Sequence, residues 1–197
     1  MNEEKQALLV LDMMNEIVRA DGAWGEMGYG YGPQAEERDV VEKTVRAVER
    51  ARAAGIPVIY VTVGFSKSYA EWPSDSPVFT EEGKRDGLLQ LGTWGQEIHE
   101  ALAPREDEVL VTKKRVSPFY ATFLGVLLRT QGTEELLLCG VATDHVVMAT
   151  ARDGHDRDFR IKVLEDCCAA ASQERHEAAI VVLDGVAEIT TSTEVFD

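Results

Sequence analysis

Three positions pair a chemically useful residue type with the abrupt end of an apolar run. Asp12 follows Ala7–Leu11 (ALLVL), Lys113 follows Glu108–Thr112 (EVLVT), and the segment Gly140–Val146 follows Glu135–Cys139 (ELLLC). A carboxyl group can deliver or accept a proton, and an ammonium can orient a carboxylate or stabilise developing negative charge. A glycine-led turn can bring backbone N–H groups close to a ligand. Each feature also has a plain structural reading. Asp12 can cap a turn, Lys113-Lys114-Arg115 can be a solvated basic edge, and Gly140 can be an ordinary strand-to-helix turn. Their coincidence at three run ends favours a site, because a carboxylate and an ammonium at the ends of neighbouring buried strands make sense as an ion pair or as chemistry.

The elements that must position these groups follow from apolar periodicity. The runs 7–11, 56–63, 108–112, 135–139, 160–164 and 187–190 read as strands, the first of them a buried parallel strand. Helical spacing marks 40–54, closed by Gly55, and 122–131, closed by Gly132. Helices are also expected over 95–102, over 143–153 with Thr143 or Asp144 as cap, and over 172–183 with Ser172 as cap. Residues 64–90 read as a long loop over the sheet, a candidate lid. The alternation predicts an α/β fold: a three-layer α-β-α, doubly wound, six-stranded, mainly parallel Rossmann-like sheet in a single domain over residues 1–197. Such sheets bind ligands beyond the carboxyl ends of their strands, where the strand order reverses.

Composition narrows the partners. With 20 Lys and Arg against 35 Asp and Glu, the formal net charge of −15 disfavours nucleic acid and anionic membrane surfaces. A small-molecule substrate is the expected partner. The polar N-terminus Met1-Asn2-Glu3-Glu4-Lys5 lacks the features of a secretion signal, which points to the cytoplasm. Three cysteines, Cys139, Cys167 and Cys168, form neither a disulfide framework nor a zinc pattern. Cys139 reads as a buried strand residue, while Cys167 and Cys168 follow the fifth strand at an edge of the expected site. Their use as nucleophiles is disfavoured against simple packing.

The same residues resemble the isochorismatase-like hydrolases. The segment LLVLDMMNEI resembles the family's strand followed by D-x-Q-N-D-F, with Met14 and Ile17 in place of Gln and Phe. Lys113-Lys114-Arg115-Val116-Ser117-Pro118-Phe119 matches K-x-R-x-S-x-F and selects Lys113 as the family lysine. Gly140-Val141-Ala142-Thr143-Asp144-His145-Val146-Val147 resembles G-V-A-T-x-x-C-V, so Val146 stands where most of the family carries its nucleophilic cysteine. The stretch 163–169 (VLEDCCA) is similar to the family's fifth-strand ending.

The resemblance implies Asp12, Lys113 and position 146 as the candidate catalytic set. It also implies a cis Val141–Ala142 peptide that aims the backbone N–H groups of Ala142 and Val146 into the pocket. Trp24 and Phe119 are candidate apolar walls and Arg115 a candidate carboxylate partner, with loop packing and a structural ion pair as the alternatives for Trp24 and Arg115. Valine cannot attack a carbonyl, so an ordinary cysteine amidase is not expected. The histidines with which nicotinamidases hold a metal have no counterpart after the second strand, so neither metal nor cofactor is expected. The resemblance implies a homo-oligomer.

The expected activity is cysteine-less hydrolysis of a small anionic or carbonyl-bearing metabolite, with Asp12 as general acid or base and Lys113 as its partner. A helix starting near residue 143 would favour an anionic substrate group there. The alternatives are a non-catalytic ligand-binding or scaffold relative, and an amidase inactivated by exchange of its cysteine for valine. Met14 and Ile17 lean towards natural divergence.

Overall fold

The computed structural model describes residues 5–196. The polar start, residues 1–4, lies outside the described residues. Six strands form one parallel sheet: β1 (Gln6–Leu11), β2 (Val58–Val63), β3 (Val109–Lys113), β4 (Glu135–Val141), β5 (Arg160–Ala169) and β6 (Glu188–Thr190). Their spatial order is β3-β2-β1-β4-β5-β6, and every pairing is parallel. The order reverses at β1, which pairs with β2 through Leu11↔Val61 and with β4 through Leu11↔Gly140. The expected doubly wound architecture is therefore the observed one.

The continuous apolar run of β1 is explained by burial on both faces. Leu8 and Val10 enter one core with Ala47, Val48 and Tyr60, whereas Ala7, Leu9 and Leu11 enter the other with Leu124, Leu128 and Val147. Side chains alternate across a strand, so a sheet covered on both sides needs apolar residues at consecutive positions.

The helices are α1 (Asn15–Val18), α2 (Ala23–Glu26), α3 (Tyr31–Glu37), α4 (Val40–Ala53), α5 (Glu81–Arg85), α6 (Leu124–Gln131), α7 (Met148–His155), α8 (Gln173–Leu183) and α9 (Ser192–Phe196). The helix α8 cap holds as expected: the Ser172 side chain accepts from the Arg175 N–H at 3.2 Å. Gly55 and Gly132 sit beyond α4 and at the end of α6 with positive φ. Three short helices between residues 15 and 37 and the last helix, α9, went unassigned in the sequence, because a four- to seven-residue turn carries little periodicity. The expected helix over 95–102 is instead two 3-10 turns, Trp94–Gln96 and Glu100–Leu102. The segment 64–90 is a loop interrupted by α5, which Thr80 caps by accepting from the Gly83 N–H at 3.1 Å.

Two further differences bear on the site. Strand β5 runs on to Ala169 instead of ending near Asp166, through an irregularity after Leu138 that pairs Gly140 with Cys168. Cys167 and Cys168 therefore lie inside a strand and are fully buried. The expected helix over 143–153 opens as a wide π turn, Thr143–Val147, and becomes regular α7 only at Met148. Neither Thr143 nor Asp144 caps it. The Thr143 hydroxyl instead meets His176 Nδ1 at 2.8 Å, and Asp144 pairs with Arg175.

Candidate active site

Asp12, the residue after β1, sits in the left-handed region (φ 53°). Its N–H bonds the Val61 carbonyl and its own carbonyl accepts from Met14 N–H, each at 2.9 Å. This fixes a strained turn at the carboxyl edge of the sheet and turns the carboxyl group over the strand ends. Lys113 closes β3. Strands β3 and β1 are not neighbours as the sequence suggested, because β2 lies between them. The lysine spans that gap, and its Nζ donates to Asp12 Oδ2 at 2.7 Å. Both side chains are buried, Lys113 at 2% and Asp12 at 5% exposure. Burial pushes the Asp12 carboxyl above its usual range, and the Lys113 ammonium only partly pulls it back. Its second oxygen, Oδ1, is buried without a hydrogen-bond partner.

The third expected element joins them. Gly140 has φ 133°, and a Cβ there would lie 2.0 Å from the Leu11 carbonyl oxygen, so only glycine lets β4 run against the end of β1. The following Val141–Ala142 peptide is cis. Asp12, Lys113, Val141, Ala142 and Val146 line one pocket, with about 420 Å³ of empty space, its open mouth included. Val146 is 2% exposed and contributes only methyl groups.

Trp24 is a wall of this pocket as expected, packed against Tyr29 and Tyr31 with ring centroids 5.4 and 5.5 Å away. Its indole Nε1 is buried and unpartnered. Two expected residues lie elsewhere. Phe119 is buried in the other core, where it stacks on Phe159 at 6.1 Å and lies under the Arg157 guanidinium. Arg115 does not line the pocket and meets no carboxylate. It donates to the Glu71 and Lys114 carbonyls at 2.9 and 2.6 Å, which ties loop 64–90 to the end of β3.

The sequence reading missed most of the apolar wall. Ile17 from α1, Tyr31 from α3, and Val78, Phe79 and Leu89 from loop 64–90 also line the pocket. The loop is not loose: Phe65, Tyr69, Trp72 and Phe79 form a ring cluster with centroids 4.6–6.2 Å apart. The buried Glu16 also pins it, accepting the Leu89 N–H at 2.9 Å, and burial pushes the Glu16 carboxyl up to about 7. The aromatic residues among the Ser, Pro and charge of 64–90 were the available signal. His145 is a further pocket residue, its Nδ1 3.1 Å from Asp144 Oδ1. Burial pushes the Asp144 carboxyl up, but His145 and Arg175 outweigh it and hold it below its usual range.

The cysteines offer no substitute nucleophile here. All three are fully buried, and desolvation pushes the Cys167 thiol up to about 12 and the Cys139 and Cys168 thiols upward as well. Among the described residues no group of three or more His, Cys, Asp or Glu side chains is placed to hold a metal ion.

Comparison with known proteins identifies the family to which this fold belongs. Residues 6–194 match the isochorismatase domain. A ureidoacrylate amidohydrolase (RutB) of Acinetobacter baylyi is 32% identical over 189 residues, covering 90% of this chain and 76% of that protein. An uncharacterised isochorismatase family protein (YecD) of Escherichia coli O157:H7 is 31% identical over 91% of this chain and 88% of its own length. An isochorismatase family structure from Desulfovibrio vulgaris superposes with a TM-score of 0.86 at 26% identity, covering 98% of this chain and 97% of that one. The N-carbamoylsarcosine amidase of Thermoplasma acidophilum gives 0.73 at 28% identity, with 95% and 96% covered. With the domain match running almost end to end and relatives above 30% identity covering nine-tenths of the sequence, the chain belongs to the isochorismatase family of hydrolases.

Proposed function

We propose that this chain hydrolyses a small metabolite by acid–base catalysis with water as the nucleophile and no covalent step on the protein. The carrying observation is the buried Asp12–Lys113 pair at 2.7 Å, which leaves Asp12 Oδ1 unpartnered in a pocket whose nucleophile position is filled by Val146. Burial raises the proton affinity of the Asp12 carboxyl, Lys113 opposes that shift, and the lysine orients the group. With a vinyl ether, Asp12 would protonate the alkene carbon, water would add to the resulting oxocarbenium ion, the water's proton would return to the carboxylate, and the hemiketal formed would break its ether C–O bond, its hydroxyl proton passing to the departing oxygen, to give a carbonyl compound and an alcohol. With a C–N bond, Asp12 would take a proton from the attacking water and pass it to the leaving nitrogen. Backbone N–H groups of Ala142 and Val146 are the candidates for stabilising negative charge on oxygen. We assign the reaction to a single domain over residues 1–197, working in the cytoplasm as a homo-oligomer.

Val146 also favours a second reading, a non-catalytic relative that keeps the pocket for binding. Steady-state assay with isochorismate and a panel of small amides and vinyl ethers separates the two. Turnover of a panel member, lost in Asp12→Asn, supports the hydrolase. Binding by calorimetry without turnover of any member supports the binder. An amidase gained only in Val146→Cys indicates a lost or exchanged nucleophile.

A further inference from the structure

We infer that the pocket selects an uncharged, largely apolar, carbonyl-bearing substrate whose hydrogen-bond acceptor meets the Trp24 indole N–H, and that it rejects carboxylates. The word substrate rests on the hydrolase reading above; the charge selection concerns binding alone.

Among the described residues the pocket has no cation to spare. Lys113 is already engaged by the Asp12 carboxyl group at 2.7 Å. His145, whatever its protonation, faces Asp144 at 3.1 Å. The basic residues next to Lys113 in sequence are engaged by backbone: Arg115 on the Glu71 and Lys114 carbonyls, and Lys114 on the Gly64 carbonyl. Arg175 is committed to Asp144. The remaining wall is Ile17, Val63, Val78, Phe79, Leu89 and Val116, with Tyr31 as a half-polar member. A carboxylate transferred from water into such a wall loses its hydration and finds no free counter-charge.

Two polar atoms define what is wanted in its place. Trp24 Nε1 is a buried donor without a partner, a costly state that a bound acceptor relieves. Asp12 Oδ1 is likewise buried and unpartnered at the other polar point. A compact conjugated amide or enol ether fills these requirements, with its carbonyl oxygen on the indole and its reacting carbon or nitrogen against the carboxyl. Neither isochorismate, a dicarboxylate, nor a carboxylate such as ureidoacrylate does.

The test uses near-isosteric pairs that differ in charge. Fumaramide is compared with fumaramate, and 3-methoxyacrylamide with 3-methoxyacrylate, by calorimetry and by turnover on the intact chain at pH 8. The uncharged member is expected to bind roughly tenfold tighter or more, and Trp24→Phe, which keeps the ring and removes the donor, is expected to weaken it about fivefold. Equal or tighter binding of the carboxylates overturns the inference, as does failure of either uncharged probe to bind at millimolar concentration. Unchanged affinity in Trp24→Phe overturns the role given to the indole. Turnover of a carboxylate in preference to its amide sinks the charge selection and leaves the hydrolase standing. Binding of the amides with no turnover of any panel compound does the reverse.

Discussion

Lys113 reaches past an intervening strand to hold Asp12: β2 separates β3 from β1, yet Nζ and Oδ2 are 2.7 Å apart. Adjacent strands lie about 4.8 Å apart, so only a long side chain starting at the last residue of β3 can close the distance. A shorter amine, or a lysine one residue earlier on the opposite face, would miss.

The pair makes unequal predictions for its two members. Lys113→Met leaves a buried carboxyl without its counter-charge, and the expected loss of stability is about 3–5 kcal/mol. Asp12→Asn strands the ammonium and costs a similar amount. The double variant, apolar beside amide, recovers most of the loss. Urea denaturation of the three proteins gives the comparison, and additive losses would contradict the pairing. Turnover in Asp12→Asn should fall by about 10²–10⁴-fold.

Position 146 can be probed by thiol chemistry. In the wild type all three cysteines are fully buried, so alkylation of the native protein by iodoacetamide should be slow. Val146→Cys should add one thiol that reacts faster than the three native ones, because residue 146, unlike them, lines the open pocket that also holds Lys113. Mass spectrometry of partly labelled protein tests this. Label found first on Cys139, Cys167 or Cys168 would show that the cores open more readily than the pocket.

Glu16 predicts a pH dependence of stability. Its pKa rises from the usual 4.5 to about 7 in the folded state because burial disfavours the carboxylate. The folded chain therefore binds this proton more tightly than the unfolded chain. The stabilisation from Glu16 is present below about pH 4.5 and is lost as the pH rises through about 7. The size is about 3 kcal/mol. Glu16→Gln keeps an acceptor for the Leu89 N–H and removes the charge, so it should raise Tm at pH 8 and flatten the Tm profile between pH 5 and 8. An unchanged slope would assign the pH dependence elsewhere.

Gly140 is predicted to tolerate no side chain. In Gly140→Ala the new Cβ meets the Leu11 carbonyl at 2.0 Å, and both atoms belong to paired strands that cannot move independently. Loss of several kcal/mol, or failure to fold, is expected, whereas Gly55→Ala, where no atom lies within 4 Å of the added Cβ, should cost only its left-handed backbone strain of about 1 kcal/mol. Thermal melts of the two variants decide it.

The homo-oligomer is the last expectation open to measurement. Tyr120, Phe123 and Val126 are exposed at 63%, 51% and 59% in and just before α6, an apolar strip of the kind that subunit contacts cover. Light scattering after size exclusion should give a mass above that of one chain, and Phe123→Asp should lower it. A monomeric wild type would remove the proposal.

Much of this molecule was legible in its residues. A strand buried on both faces must be apolar at successive positions, so ALLVL, ELLLC and their neighbours announced a parallel sheet, and the first residues after them announced Asp12, Lys113 and the Gly140 turn. The resemblance of the third motif added the valine at 146. Those signals are local, carried by chain periodicity and by the abrupt change of residue type. Long-range packing decided the rest: that β2 lies between the acid and the lysine, that Phe119 goes to the far core, that Arg115 holds a loop, and that Cys167 and Cys168 are inside β5. It also brought Ile17, Tyr31, Phe79 and Leu89 to the pocket from short helices and a loop. Such positions have no period to reveal them, because their place depends on which surfaces the sheet leaves uncovered once it has formed.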